Sequence, residues 1–259
     1  MNTMFSVAGM SDEVGLGLTL RQVVAGGLLL GLSACAAPDA SQDIFDPFER
    51  TNRKIHDANL AIDRTVVRPA AATYGKVVPD GPAGAINNFS FNFAEPRNAV
   101  NSLLQGRLDN AFEATLRFAI NTTVGIGGLF DPATSMGIES KSTDFGETLY
   151  VWGVGEGAFI ELPFAGPSTV RHTVGRTADW FMNPLTYILP TPEAYIGTAS
   201  SIAWALDTRD EFAVTFDDIF DNSADSYAQT RQSYLQNRRF KLGGVPEDEV
   251  TDPFEELGL

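Results

Sequence analysis

The sequence is poor in several residue types, and each shortage narrows the range of possible functions. Its 259 residues include one cysteine and two histidines, so a disulfide framework is excluded and a zinc site has too few of its usual ligands. Basic residues are scarce as well, because 18 lysines and arginines stand against 33 acidic residues. Nucleic-acid binding is therefore not expected, since a phosphate backbone is held by basic stripes.

The chain also lacks an uninterrupted apolar run of eighteen residues, which argues against an ordinary transmembrane helix. Two stretches nevertheless carry almost no charge: residues 118–138 contain only Asp131, and residues 180–206 contain only Glu193. The second stretch is rich in aromatic and aliphatic side chains. Helices of this composition either form a water-soluble core or lie partly within a lipid layer, and both interpretations remain open at this point.

Catalytic motifs are missing from the chain that follows Cys35. No Gly-x-Ser-x-Gly surrounds a serine there, and the two histidines, His56 and His172, lack the spacing of metal ligands. The glycines at 125–128 are not followed by Lys-Ser/Thr, and those at 153–157 lack the last glycine of a dinucleotide fingerprint. We expect an exposed His56, a structural His172, and no enzymatic activity, metal or cofactor.

A short segment near the start is the most specific feature that the sequence does contain. Arg21 precedes an apolar run that ends in Leu32-Ser33-Ala34-Cys35, which is the pattern of a secretory signal. The ending resembles the bacterial lipobox, in which the cysteine thiol is joined to a diacylglycerol. We expect removal of residues 1–34 and lipidation of Cys35, and the alternative is a buried free cysteine after an apolar segment.

The remaining chain is predicted to be mainly α-helical and to form a single domain over residues 46–240. A tether of small residues, 35–45, precedes this domain, and an acidic tail, 241–259, is expected to be disordered. Residues 144–167 are rich in glycine and aromatics and could form short strands or a wrapped loop. Residues 225–240 are predicted to form the last helix.

Helix boundaries follow from caps and prolines. Asp46 is predicted to cap a helix whose first position is Pro47, and Arg68-Pro69 is predicted to end that helix. Prolines and glycines at 79–84 indicate a loop, and Glu95-Pro96 is predicted to begin another helix. From Leu104 a strongly amphipathic helix is predicted, with an apolar face formed by Leu108, Ala111, Phe112, Thr115, Leu116 and Ala119.

Five residues stand out as candidates for a passage or a hinge. Asn52 and Asn59 share a helix face with apolar residues, so they either cap neighbouring backbone groups or line a passage that tolerates polar groups. Gly125, Gly127 and Gly128 interrupt the helical pattern. They are either a mobile hinge or positions where close packing leaves no room for a side chain.

An ordered series of short motifs runs through the predicted domain. Its members are Asp46-Pro47-Phe48-Glu49, Arg68-Pro69, Asn88-Phe89, Glu95-Pro96, Val100-Asn101-Ser102-Leu103-Leu104-Gln105-Gly106, Arg117-Phe118, Asn121-Thr122, Asp144-Phe145-Gly146, Trp152-Gly153, Leu162-Pro163, Gly166-Pro167 and Asn183-Pro184. Each motif is weak alone, whereas their order is specific. Together with the lipobox, the series resembles the MlaA (VacJ) lipoproteins of Gram-negative bacteria over about residues 46–239. His172 departs from the family pattern, which has an acidic residue after the arginine.

The resemblance implies a helical, ring-like domain embedded in the inner leaflet of the outer membrane, with a central amphipathic channel. It further implies association with a trimeric outer-membrane porin and transfer of mislocalised outer-leaflet phospholipids to a soluble periplasmic carrier. Phospholipid is then a transported ligand, and no bond is made or broken. Ala36, which follows the lipidated cysteine, favours outer-membrane sorting by resemblance to lipoprotein signals.

Within that framework, Asn52, Asn59 and the three glycines are candidates for the channel lining or a hinge. Trp152, Trp180 and Trp204 are candidates for anchors at the membrane interface, although each could equally lie in a core. Two further hypotheses stay open: a structural or surface lipoprotein with a soluble helical core, and a lipid-modifying enzyme with an unrecognised site.

Overall fold

A computed structural model describes residues 44–190 and 195–243. Cys35, the signal segment, most of the tether and the acidic tail beyond residue 243 lie outside the described residues, so the predictions for them stay predictions. The described chain is mainly α-helical, as the sequence predicts, and it contains one two-stranded antiparallel sheet.

The longer helices are α1 (Glu49–Ile62), α2 (Arg68–Val77), α3 (Asp80–Leu104), α4 (Leu108–Thr123), α7 (Val170–Met182), α9 (Ile196–Glu211) and α11 (Ser226–Lys241). The shorter ones are α5 (Pro132–Ser135), α6 (Phe145–Val151), α8 (Leu185–Ile188) and α10 (Ala213–Asp217), and π-helical turns cover Asp63–Val67 and Asp218–Asn222. Strands β1 (Phe159–Leu162) and β2 (Gly166–Thr169) form a hairpin in which Phe159 pairs with Thr169.

The first helix does not end at Arg68-Pro69, so that prediction is wrong. Helix α1 passes through the π-helical turn Asp63–Val67 and continues as α2. A proline lacks one N–H and its ring crowds the carbonyl four residues earlier. The wider π turn, in which the Arg68 N–H donates to the Asp63 carbonyl, accommodates the ring without breaking the helix.

Three other boundaries differ from the prediction. Helix α3 begins at Asp80, inside the predicted loop at 79–84, because Pro82 lies in the first turn where its missing N–H would have no helical acceptor. The same helix runs on through Pro96 instead of restarting there. Asp46 does not cap α1, whose N-cap position is Phe48 without a side-chain hydrogen bond.

The last predicted helix is confirmed as α11. Asp225 occupies its N-cap and accepts a hydrogen bond from the Ala228 N–H at 3.0 Å, as a capping carboxylate should. The glycine-rich stretch 144–167 divides into helix α6, a turn and the β1–β2 hairpin. The alternative of short strands is therefore correct for its second half only.

The neighbouring elements form a closed circuit. Helix α2 packs against α9, α9 against α3, and α3 against α6 and α7. Helix α7 then contacts β2, β2 pairs with β1, and β1 packs on α1, which continues into α2. Helix α4 packs along α3, and α11 contacts β2. This order of neighbours has the connectivity that a ring requires.

The buried apolar residues that pack together in the described part of the chain form one small cluster, Phe159, Tyr227 and Leu235, with Tyr234 packed against it. It lies where the hairpin meets α11. Across the described ranges, no helix is both long enough and apolar enough to span a bilayer. Packing elsewhere depends on polar side chains, which are described next.

Candidate functional site

The polarity of the domain is inverted relative to that of a typical water-soluble protein. Helix α4 shows this best, because Leu108 and Phe112 are 68% and 67% exposed whereas Arg117 and Asn121 are buried. Most of the predicted apolar face therefore points outward, and Ala111 is its buried member. Across the described residues, buried polar side chains outnumber buried apolar ones. Soluble domains rarely bury so many polar groups while they expose so many large apolar side chains.

A buried ionic cluster joins α3, α4 and the segment after α4. The Arg117 guanidinium donates to Glu95 at 2.9 Å, to Asp131 at 2.9 Å and to the Thr134 hydroxyl at 3.0 Å, and it also donates to the Ile138 carbonyl. Burial raises the pKa of Asp131, but hydrogen bonds from Thr134 and Arg117 outweigh it and bring that pKa to about 2. Asp131 therefore stays ionised at neutral pH.

A second buried network joins the end of α3 to α6 and to the C-terminal part of α7. Asn101 donates to Asp179 at 2.8 Å and accepts from the Thr148 hydroxyl at 3.0 Å. Gln105 donates to Thr143 at 2.8 Å and to Thr148 at 3.0 Å. Burial is the main cause that raises the pKa of Asp179, which also accepts from the Phe145 N–H. These bonds satisfy polar groups that would otherwise be costly to bury.

Asp144 links this network to the last helix. It caps α6 by accepting from the Glu147 N–H at 2.9 Å. It also accepts hydrogen bonds from Nη1 and Nη2 of Arg238 at 2.6 and 2.7 Å. Burial raises the pKa of Asp144, and Arg238 more than offsets this and lowers it. Nearby, the His172 Nδ1 lies 2.6 Å from the Tyr234 hydroxyl, which supports the structural role predicted for His172.

Asn52 and Asn59 hold the hairpin against α1. Asn52 donates to the Phe159 carbonyl at 3.2 Å and accepts from the Glu161 N–H at 3.0 Å. Asn59 donates to the Leu162 carbonyl at 2.9 Å and accepts from the Phe164 N–H. Both amides therefore cap neighbouring backbone groups, the first of the two interpretations, and the placement of Asn52 and Asn59 as channel lining is not supported by these contacts.

The three candidate glycines differ in what surrounds them. A Cβ at Gly125 would lie 2.3 Å from the Phe130 carbonyl oxygen, and one at Gly128 would lie 2.5 Å from the Asn92 amide nitrogen. Gly127 has open space around it but a φ of +70°, which disfavours other residues. Close packing explains why Gly125 and Gly128 are glycines. Of the three positions, only Gly127 has surroundings that leave room for a hinge motion.

The tryptophans all reach the surface. Trp180 is 83% exposed on α7, and Trp152 and Trp204 are exposed at the end of α6 and on α9. Trp152 donates its indole N–H to the Leu104 carbonyl at 3.0 Å, and Trp204 packs edge-on against Phe91. This placement agrees with interface anchors and disagrees with a core role.

His56 is buried with 3% exposure, so the prediction of an exposed side chain is wrong. It lies on the face of α1 that packs against the hairpin and α11. Its Nε2 is 3.1 Å from the Ser226 hydroxyl and its Nδ1 is 3.5 Å from the Glu161 carboxylate. The second distance is longer than a good hydrogen bond, and the three residues join α1, β1 and α11.

No group of three or more histidine, cysteine or acidic side chains in the described ranges is arranged to hold a metal ion. The residues that sequence reasoning missed are the buried polar partners, above all Glu95, Arg117, Asn101 and Arg238. Their signal was present in the ordered motifs, several of which contribute to these networks.

Comparison with known proteins agrees with this architecture. The family model "MlaA lipoprotein" matches residues 44–241. An Escherichia coli protein, "Intermembrane phospholipid transport system lipoprotein MlaA", is 32% identical over 82% of this chain and 85% of its own length. An uncharacterised Rickettsia typhi protein is 38% identical over 56% of this chain, and the match spans 58% of that protein.

A solved structure, "Structural basis for maintenance of bacterial outer membrane lipid asymmetry", matches with a TM-score of 0.67 and 30% sequence identity. The match covers 76% of this chain and 98% of the solved chain. Both the sequence and the fold of the helical domain are thus shared. The chain belongs to the MlaA lipoprotein family.

Proposed function

We propose that this protein is an outer-membrane lipoprotein that removes mislocalised phospholipids from the outer leaflet and passes them to a soluble periplasmic carrier. Outer-membrane lipid asymmetry would be maintained in this way. The inverted polarity of the helical domain carries the proposal. Outward apolar side chains such as Phe112 and Trp180 suit contact with acyl chains, and a closed circuit of elements suits a passage through the domain.

The polar interior supports the same conclusion. A phospholipid that crosses a protein needs a route that tolerates a charged headgroup and two apolar chains. Helices suit such a protein because every backbone group inside them is satisfied, whereas an unpaired group in lipid costs roughly 2–7 kcal/mol. Buried clusters such as Glu95–Arg117–Asp131 hold the helices in place without an apolar core.

The remaining parts of the proposal follow from the family. The E. coli relative is named for intermembrane phospholipid transport, so the transported ligand is phospholipid. Lipidation of Cys35, a trimeric porin as the membrane partner and a carrier at the periplasmic face complete the proposed assembly. Transfer makes and breaks no covalent bond, so no catalytic residue is required.

The test combines two measurements. Mass spectrometry of lipids that copurify with the membrane-extracted protein should find intact phospholipid. Deletion of the gene should raise outer-leaflet phospholipid, and the wild-type gene should restore it. Absence of bound lipid together with an unchanged leaflet would favour a structural lipoprotein. Accumulation of lysophospholipid or free fatty acid with the purified protein would instead favour a lipid-modifying enzyme.

A further inference from the structure

Arg171 differs from the other buried arginines of the described chain in its lack of a carboxylate partner. Arg117, Arg209 and Arg238 each pair with one or two aspartates or glutamates at 2.6–2.9 Å. Arg171 is only 6% exposed, yet no carboxylate in the described ranges lies within ion-pair distance of it. A buried cation without a counter-ion is costly, so this position calls for an explanation.

The contacts of Arg171 fix its side chain but leave donors free. Its Nη1 donates to the Val154 carbonyl at 2.9 Å, and its Cζ lies 5.2 Å from the centre of the Tyr150 ring. A guanidinium has five N–H donors in a planar arrangement. The Nε and Nη2 atoms of Arg171 are not among the fully buried nitrogen atoms that lack a hydrogen-bond partner. Part of the guanidinium therefore reaches the surface.

Neighbouring groups supply only part of the missing negative charge. Glu156 is the acid beside Arg171 and raises its pKa, but it forms no ion pair with Arg171 in the described ranges, and its Oε2 accepts from Arg239 at 3.2 and 3.0 Å. His172, next in sequence, carries no negative charge. Burial has the largest effect on the pKa of Arg171 and lowers it, and Arg238 lowers it further, by less than Glu156 raises it. Arg171 is thus a buried cation whose neighbouring acid already pairs with another arginine.

An apolar surface borders the guanidinium on one side. We call it the Trp152 patch, and it consists of the exposed side chains Leu103, Leu104, Tyr150, Val151, Trp152 and Val154. The Trp152 indole bonds to the Leu104 carbonyl at 3.0 Å and so joins the end of α3 to the end of α6. Arg171 borders the patch, because its guanidinium lies over the Tyr150 ring and bonds to the backbone carbonyl of Val154.

A guanidinium beside an apolar surface matches one class of molecule. A phosphodiester offers two oxygens to a planar guanidinium, and acyl chains gain free energy when they cover apolar side chains. We propose that Arg171 and the Trp152 patch form a docking site for a phospholipid, with the phosphate on Arg171 and the chains on the patch. This inference rests on the proposed transport function and assigns one binding site for the transported lipid.

The experiment is a calorimetric titration of the full-length, detergent-solubilised protein with dihexanoyl phosphatidylglycerol in a phosphate-free, non-ionic detergent. Arg171→Gln should weaken binding at least tenfold, because glutamine can still donate to the Val154 carbonyl but carries no charge. Arg176→Gln is the matched control. Arg176 is exposed on the same helix and makes no ion pair in the described ranges, so its replacement should change affinity less than twofold.

A second pair of variants tests the apolar half without disturbing Arg171. Trp152→Ala should weaken binding about tenfold, whereas Trp180→Ala, which removes an even more exposed tryptophan, should leave it unchanged. Inorganic phosphate should compete only at much higher concentration than the lipid. This pair also keeps the test decisive if Arg171→Gln fails to fold.

Three results would overturn the docking site. Equal affinities for wild type and Arg171→Gln would show that the guanidinium does not bind the lipid. Equal effects of the two tryptophan variants would show that the Trp152 patch does not bind it. Competition by phosphate at the lipid's own concentration would reduce the site to a simple anion site. In each case wild-type lipid binding and the outer-leaflet measurement would still support transport. Failure of the docking site can therefore be distinguished from failure of the proposed transport function.

Discussion

Arg117 illustrates at the scale of one residue how this protein replaces an apolar core. Its guanidinium satisfies partners on α3, on the segment that follows α4 and on α5. Replacement of the arginine would leave Glu95 as a buried carboxylate without its cation, and such a loss is more costly than the net worth of the pair. The same reasoning applies to Asp144 and Arg238.

We expect Arg117→Met to lower the free energy of unfolding by about 3–5 kcal/mol. Thermal or urea unfolding in detergent, followed by circular dichroism, measures the change. Lys141→Met is the control, because the Lys141–Glu113 pair is exposed and should contribute less than about 1 kcal/mol. Similar losses in both variants would contradict the assignment of Arg117 to the interior.

Alanine substitutions separate packing from hinge roles among the glycines. Gly125→Ala and Gly128→Ala should each destabilise by roughly 1–3 kcal/mol, because the new Cβ has no room. Gly127→Ala should cost only about 1–2 kcal/mol, the penalty of a left-handed backbone. If Gly127 is a hinge, its variant should also raise outer-leaflet phospholipid, and an unchanged leaflet would reject that role.

His172 should make stability depend on pH. Burial and the nearby Arg238 lower its pKa from 6.5 to about 4, so the folded state disfavours the protonated ring. The contribution is complete above pH 6.5 and is lost as the pH falls toward 4, at a maximum of roughly 3 kcal/mol. His172→Asn, which keeps a polar group near the Tyr234 hydroxyl, should show a shallower loss of stability over that window. Parallel pH curves for the two proteins would contradict this explanation.

At the scale of elements, α4 shows that a sequence pattern can predict a helix without predicting which of its faces is buried. The apolar spacing that predicted the helix is correct, yet the face with Leu108 and Phe112 is exposed and the face with Arg117 is buried. The π-helical turn at Asp63–Val67 and the interior Pro96 show a similar limit. Packing against neighbouring elements stabilises these helices at positions where the local sequence predicts that a helix ends.

Phe112→Ala should therefore behave unlike a core substitution. We expect a loss of less than about 1 kcal/mol in detergent, and weaker association of the protein with liposomes, because apolar area that contacts lipid is removed. Leu235→Ala, in the buried cluster, should cost about 2–5 kcal/mol. The contrast is measured by unfolding in detergent and by vesicle flotation. A large loss of stability in Phe112→Ala would place that ring in the interior.

At the scale of the whole molecule, the exposed apolar side chains predict behaviour that does not depend on the lipid anchor. A Cys35→Ala protein should still need detergent to remain monodisperse, because contiguous apolar surface aggregates in water. Size-exclusion chromatography with and without detergent measures this. A monodisperse Cys35→Ala protein in plain buffer would instead favour the structural lipoprotein with a soluble core.

Local patterns and the ordered motifs predicted the mainly helical class, the final helix and membership in the MlaA lipoprotein family. They did not predict the roles of individual motif residues. Glu95, Asn101 and Asp144 were recognised as a series, but their partners lie 22 to 94 residues away along the chain. Nothing in a local pattern indicates such a pairing.

The sequence by itself determined the mainly helical class, the last helix and the family, because periodicity and motif order are local properties that act before the chain packs. Only the tertiary structure decided which face of each helix is buried, why His56 lies inside, and why Arg171 has no counter-ion. These outcomes depend on which distant groups meet. An apolar stripe has the same spacing whether it faces a protein core or a lipid layer, and the partners of each polar face resolve that choice.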